Sequence, residues 1–559
     1  MLTTMLLAAV MLNPTVEVQC ERPAGWTFSV TSVDSEPGVR VATIRATAEK
    51  KSVPPVFSAV VSFPQIDVTG VWNPNFGTAE DLALMPWWAS VFSVARTQPL
   101  RCWLGPNDRS RMMLAAGELR REVKLDSSLR EEDFRYYTKL AYFTEATEPM
   151  SEYETQIRLD ARDVDFATAV RDAAAWQAAK AGGAPASAPA AAYEPVYSTW
   201  YNFHKDVTAA TLDGELELAA RLGMKTVILD DGWQCDDIER SYKSCGDWRI
   251  SRRRFPDMAA HVRKAHELGL KYLVWFSMPF VGEETEAYRR LRGKFLRKID
   301  GLQAWVIDPR FPECRAYLKD VYMRCLKDWD IDGFKLDFVD AFGLEGEVDP
   351  AMAENFAGRD TPSIPEGVER LLREVTSALN AEKPGLLYEF RQAYVGPVIR
   401  KYGNMVRVGD CPGSLVRNRV HIANLRLLCD GTAVHSDMLR WHPDESPERA
   451  QRFILNSLFG TIQYSVMLRE AKPEMQAMIA KWIRFTTEHR DTLLKGTFRP
   501  HFPHLNYPVV EAESDAERIV VIYDPSVKFD LGSLSKPTYL IDGMTGAISR
   551  RVEGMGVQR

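Results

Sequence analysis

The chain has no excess of positive charge. Its 70 Lys and Arg stand against 76 Asp and Glu, a formal net charge of −6 over 559 residues. A nucleic-acid footprint or a polybasic membrane patch needs the opposite balance, so neither partner is expected. Histidine is scarce, at 9 residues, and the 8 cysteines show no Cys-x-x-Cys or Cys/His cluster. That leaves no zinc framework, and no metal or other cofactor is expected. Cys235 and Cys245 bracket a short polar loop and are a candidate pair, while single buried thiols are the favoured reading for most of the eight. No apolar run is long enough to span a bilayer, and no repeat recurs at solenoid spacing. The N-terminus "MLTTMLLAAVMLNPTVEVQC" has a short apolar core, Leu6 to Leu12, without a basic start or a clear A-x-A site. It reads equally as a signal peptide or as a first strand or helix. The compartment stays open, with a lean to secreted or periplasmic and cytoplasmic as the alternative.

What is present is ordinary globular material, 45% hydrophobic and 26% charged, with length for two to four domains. Short runs such as "VRVATIRATA", "VFSAVVSF" and "YYTKLAYF" alternate apolar and polar residues between turn signals, which predicts an N-terminal β-sandwich over residues 1–165. The Ala-rich "DFATAVRDAAAWQAAKA" predicts a helix, and "GGAPASAPAAA" a linker, over residues 166–195. The rhythm then changes to strand and helix. "VYSTWYNF", "KTVILDDGW", "KYLVWFSM", "IDGFKLDFVD", "GLLYEFRQ", "MVRVGDC", "TAVHSDM" and "GTIQYS" are eight strand candidates, which predict a (β/α)8 barrel over residues 196–490. A doubly wound sheet is the alternative, but "WYNFHKDV" lacks the glycine-rich nucleotide turn. Three further strand candidates predict a small C-terminal antiparallel β-domain, a sandwich, over residues 491–559.

Barrel enzymes draw their working groups from the C-terminal strand ends. Those ends here carry Trp200, Asp230, Asp231, Trp233, Trp275, Lys335, Asp337, Glu389, Arg391, Gln392, Arg407, Asp410, His435 and Asp437. Stability alone does not call for charge at nearly every strand end, because an unpaired buried charge is costly. Two carboxylates flanking a bond are what glycoside hydrolysis needs, with aromatic faces and charged groups to hold the sugar. Asp230, Asp231 and Asp437 also admit a metal reading, but hydrolytic metal sites usually show more His. Trp233 and Trp275 are expected to line the pocket and Asp437 to face it. His435 reads better as a satisfied buried histidine.

The set "YSTWYNF", "LDDGW", "VWFSMP", "DGFKLDF" and "RVGD" resembles the melibiase-type glycoside hydrolases of clan D, the α-galactosidases of families 36 and 27. The resemblance runs from Tyr197 to Ser465. It implies Asp337 as nucleophile and Asp410 as general acid/base. It implies Lys335 as a hydroxyl ligand and brace, Asp230 and Asp231 as a grip on the galactose 4- and 6-hydroxyls, and Arg407 beside the acid. Trp200 would lie under the ring. The implied reaction is retaining removal of terminal α-linked galactose from a carbohydrate substrate, with nothing to fix the oligomeric state. Small or apolar neighbours of Asp410 favour a raised pKa, and an inward Arg407 opposes it.

"LLYEFRQAYVGP" departs from the Cys- and Gly-rich stretch of many family 36 enzymes. Glu389 falls where family 27 has a Glu. Arg391 either closes the pocket near the sugar 2-position or pairs with Glu389. This leaves N-acetylgalactosamine and arabinopyranose open beside galactose. Transglycosylation and non-catalytic sugar binding are the remaining alternatives.

Overall fold

A computed structural model describes residues 12–82, 89–344, 347–348, 356–391, 393–532 and 534–551. Residues 1–11, which hold nearly all of the apolar N-terminal core, and Gln392 lie outside them. Two compact units are present. One is Met1–Gly183 with Gly396–Val398 and Phe502–Leu505, and the other is Ala184–Val395, Ile399–His501 and Asn506–Arg559. The division falls inside the expected linker. Helix Phe166–Ala181 goes with the first unit, where the buried amide of Gln177 donates to the carbonyls of Pro99 and Ala116.

The first unit holds a five-stranded and a six-stranded sheet, antiparallel throughout. Alternate residues of both sheets, among them Ile44, Phe57, Phe63, Trp103, Tyr136 and Leu159, share one core. This is the two-layer solution for sheets with one apolar face.

In the second unit eight strands form the barrel: β1 (Val196–Ser198), β2 (Thr226–Leu229), β3 (Lys271–Ser277), β4 (Gly333–Asp337), β5 (Leu387–Arg391), β6 (Met405–Arg407), β7 (Ala433–His435) and β8 (Gln463–Tyr464). They run β7-β6-β5-β4-β3-β2-β1-β8, all parallel. Parallel bridges His435–Thr461 and Leu439–Tyr464 close the ring. Period-two alternation stacks its interior in layers. Val196, Ile228, Leu273, Leu387, Met405 and Ala433 form an apolar floor with Ala192 beneath. Gly333 completes that floor, and there a Cβ would sit 2.2 Å from the Leu387 carbonyl oxygen. Two residues further along, every strand from β1 to β7 turns polar or amphipathic: Ser198, Asp230, Trp275, Lys335, Glu389, Arg407 and His435, all buried. The outward residues pack on the helices, as Phe334 does on Tyr322.

Helices Ala209–Leu222, Met258–Glu267, Ile364–Glu382, Leu415–Leu428 and Pro447–Leu455 start at Thr208, Asp257, Ser363, Ser414 and Ser446, whose side chains each accept an early helical N–H. The alternation is incomplete. Among the described residues between β5 and β6 only the single turn Ile399–Lys401 forms, because Gly396 and Pro397 interrupt any helical run.

The C-terminal strands correct the expected antiparallel sandwich. Thr497–His501, Val509–Glu513, Arg518–Ile522, Thr538–Asp542 and Ile548–Arg551 make one five-stranded sheet, with the third and fourth strands parallel. The excursion from Tyr523 to Pro537 is long enough to carry the chain back for a parallel pairing. The sheet shares a unit with the barrel and packs on its helices: Tyr523 Oη donates to the Leu455 carbonyl at 2.9 Å and Tyr507 Oη to Asn424 Oδ1 at 3.0 Å.

Candidate active site

Strand β4 delivers Asp337 at its C-terminal end, where the chain turns sharply. Phe338 adopts φ 62°, a left-handed conformation rare for a bulky side chain. That turn points the Phe338 N–H at Asp337 Oδ1, 2.8 Å away. Arg391 Nε donates to the same oxygen at 2.8 Å, and Trp275 Nε1 donates to Oδ2 at 3.1 Å. Tyr394 Oη, anchored on the Leu336 carbonyl at 2.9 Å, reaches Oδ1 at 3.5 Å. Burial opposes ionisation of this carboxyl. The charges of Arg391, Lys335 and Arg407, with the indole donor, overcome it and hold Asp337 well below the usual carboxylate range. The Arg391 guanidinium also lies 5.1 Å from the Phe338 ring centre, which fixes it from a second side.

Lys335, one pleat deeper, does not pair with Asp337. Its ammonium binds Asp230 Oδ2 at 2.6 Å, and both side chains are 4% exposed. Asp230 Oδ1 accepts the N–H of Asp231, and its own N–H donates to Thr199 Oγ1. Asp231 is raised to about 6, by burial first and by Asp230, with the Lys205 charge and a 2.6 Å hydrogen bond from Gln234 opposing. Such a carboxyl exchanges protons in the mildly acidic range and can accept from or donate to a hydroxyl. Lys205 Nζ is held by the carbonyls of Glu239 and Ser241.

Opposite lies a second constellation, built around the buried Arg407. Its guanidinium binds Asp437 Oδ1 at 2.6 Å and Asp410 Oδ1 at 2.8 Å. Asp410 is half exposed, at 52%, so one face meets solvent. Burial raises its pKa, but the Arg407 charge and hydrogen bond outweigh that, and the net direction is down. Of the two opposing effects expected at Asp410, the inward Arg407 outweighs the small residues around it. Asp437 is pushed up by burial, with Arg407 opposing, and is fully engaged, since Oδ2 also accepts from Tyr201 Oη at 2.9 Å and Cys411 N at 2.7 Å. Through Cys411 N it ties down the Asp410 loop.

Glu389 and Arg391 do not pair with each other. Arg391 serves Asp337, while Glu389 points into the barrel, hydrogen-bonded by Gln463 and 3.6 Å from His435 Nδ1. His435 is a satisfied core residue, with Nε2 on the Ala192 carbonyl. Trp200 is half-buried at the mouth, with the Arg240 guanidinium 5.5 Å from its ring centre. Trp233 is fully buried in the core: it packs on Trp248, Phe276 and Trp329 and donates to the Trp275 carbonyl. Its odd offset from the inward Ile228 and Asp230 puts it on the outward side. Trp275 lies at the site, but as a donor to Asp337 and not as an open platform. Cys235 and Cys245 are both free.

Tyr394 and Lys205 belong to the site or its support and carry no sequence signal, since both sit in loops where neither helical nor strand period applies. Among the described residues no group of three or more His, Cys, Asp or Glu side chains is arranged to hold a metal ion, and no helix is long and apolar enough to cross a membrane.

The sequence model of the melibiase family matches residues 190–389. An α-galactosidase of Lactobacillus acidophilus, Mel36A, is 32% identical over 149 residues, which is 25% of this chain and 19% of that protein. A protein of Flavonifractor plautii described as an A type blood α-D-galactosamine galactosaminidase is 28% identical over 177 residues, 28% of this chain and 15% of its own length. The aligned stretches thus span no more than a fifth of these relatives. In structure, the family GH36 α-galactosidase AgaA of Geobacillus stearothermophilus, solved with raffinose, superposes over 95% of this chain and 77% of its own, with TM-score 0.70 and 14% identity. The Lactobacillus brevis α-galactosidase covers 93% of this chain and 74% of its own at TM-score 0.67 and 14% identity. The chain thus carries a melibiase-type segment over residues 190–389 and shares the fold of the family GH36 α-galactosidases.

Proposed function

We propose that the protein is a retaining exo-glycosidase that releases terminal α-linked galactose. The observation that carries this reading is the state of Asp337: a carboxylate held ionised at a barrel mouth by three cations and three hydrogen-bond donors, with the solvent-facing Asp410 just past the end of β6, two strands along the sheet. An ionised carboxylate is the nucleophile that a double displacement needs. Asp337 attacks the anomeric carbon as the glycosidic C–O bond breaks, and Asp410 gives its proton to the departing oxygen. The covalent ester then reacts with water, from which Asp410 takes a proton. Lys335, Asp230 and Asp231 are assigned to sugar hydroxyls, and Trp200 to the ring's C–H face.

Asp410 has to be protonated for the first step, although Arg407 favours the carboxylate. Its half-exposed face lets an incoming leaving group displace water there, and desolvation then raises its pKa toward the working range. Galactose is the sugar favoured, because the relatives described above are mostly α-galactosidases. The test is proton NMR of nitrophenyl α-galactoside during cleavage. Release of α-galactose first, with the β anomer growing in later by mutarotation, supports the reading. β-Galactose first would replace it with an inverting mechanism. No release would move the sugar assignment to the N-acetylgalactosaminide and the arabinopyranoside.

A further inference from the structure

The chain is acidic, with net charge −6, yet one cavity at the barrel mouth carries arginine and histidine and no carboxylate in its lining. It measures ≈ 580 Å³ and begins at Pro412 and Gly413, just past Asp410. Among the described residues its lining holds Arg240, Arg440, His204 and His442, and neither Asp nor Glu. The carboxylates collect next door, where Asp444, Glu445, Glu448, Glu470 and Glu474 line the adjoining cavity. Arg440 is half-buried and held by a 2.7 Å hydrogen bond to Asn202 Oδ1. Arg240 is exposed, reaches His204 Nδ1 at 3.5 Å and lies 5.5 Å from the centre of the Trp200 ring. Among the described residues neither guanidinium has a carboxylate partner. Burial lowers the pKa of His204, and the charges of Arg240 and Arg440 lower it further, so both guanidiniums act on the same ring. His204 is therefore neutral at neutral pH, and its Nδ1 accepts from Arg240 instead of adding a third charge.

We infer that this cavity binds an oxyanion, a carboxylate or a phosphate, carried on the leaving group of the substrate and held between Arg240 and Arg440. Guanidinium N–H groups match the paired oxygens of such an anion, and these two have no acidic side chain to compete for them. Arg440 has already lost part of its hydration, a cost that an incoming anion offsets and a neutral group does not. The position just past Asp410 puts the anion on the side of the departing oxygen. A negative charge there also raises the pKa of Asp410 against the pull of Arg407, which favours the protonated acid that the first step needs. The inference rests on the proposed galactoside cleavage with Asp410 as acid, and deepens it: the preferred substrate carries a charged aglycone.

Three α-galactosides with one linkage and an open-chain leaving group test this: melibiitol, which is neutral, melibionate, which carries a carboxylate, and melibiitol phosphorylated at its far end. The readout is kcat/KM on each anion divided by kcat/KM on melibiitol, taken within each variant, so partial misfolding cancels. The wild type should favour at least one anion about tenfold, and the better of the two identifies the group. Arg240→Gln with Arg440→Gln should abolish that preference. A wild type that prefers neither anion to melibiitol overturns the inference, and so does a preference that the double variant keeps. If the wild type cleaves no galactoside at all, nitrophenyl α-galactoside included, the galactosidase reading falls, and calorimetric titration of inorganic sulfate into the wild type and the double variant tests the cavity separately. Binding that the double variant loses supports the anion site, and binding absent or unaffected overturns it.

Discussion

Arg391 Nε lies 2.8 Å from Asp337 Oδ1, a contact between the ends of adjacent strands β4 and β5. It makes Arg391, and not the neighbouring Lys335, the direct partner of Asp337. Lys335 acts on Asp337 through its charge and spends its hydrogen bond on Asp230.

The first prediction follows from the sign of that contact. A carboxylate whose folded pKa is depressed stays ionised as pH falls until that depressed value is reached. Replacing Arg391 with Met removes the largest lowering charge, so the acid limb of the kcat/KM profile should move up by about one to three pH units. An acid limb that stays where it is in the wild type would show that Arg391 does not set the ionisation of Asp337.

Lys335 and Asp230 form a buried pair, so removing one partner leaves a charge stranded. Lys335→Met should cost about 3–5 kcal/mol of stability in chemical denaturation. The double variant with Asp230→Asn should lose clearly less than the sum of the two single losses, because the stranded charge is gone. Additive losses would contradict a direct pair.

Asp410→Ala should lose far more activity on a natural galactoside than on the nitrophenyl substrate, whose leaving group needs little protonation. Equal losses on both would remove Asp410 from the role of acid.

Asp437 shares Arg407 with Asp410. With Asp437→Asn, a neighbouring negative charge disappears and Arg407 has one carboxylate fewer to share with Asp410, which lowers the pKa of Asp410 further. An acid loses its proton as pH rises through its pKa, so the basic limb of the profile should shift to lower pH. A shift upward, or none, would contradict the shared-cation geometry.

Much of this was legible in the chain itself. The eight strand ends could be found because inward and outward positions alternate, and the run Gly333–Asp337 shows it directly: Phe334 and Leu336 face out, Lys335 and Asp337 face in. Partner choice was not legible. Whether Lys335 meets Asp337 or Asp230 depends on how the barrel closes, which no local pattern encodes. Trp233 was misplaced because it was read by its closeness to the strand end and not by its parity: three residues beyond the inward Asp230, it falls on the outward side. The parallel pair in the C-terminal sheet escaped for a related reason, since strand order there is set by the path of a long excursion and not by the strands.

The central claim is that Asp337 is the nucleophile of an α-galactoside-cleaving site, and nitrophenol release from p-nitrophenyl α-D-galactopyranoside by the wild type and Asp337→Asn, side by side, tests it most directly. The account predicts release by the wild type and loss of at least about a thousandfold in the variant, with galactose binding retained. Near-normal release by Asp337→Asn would contradict it.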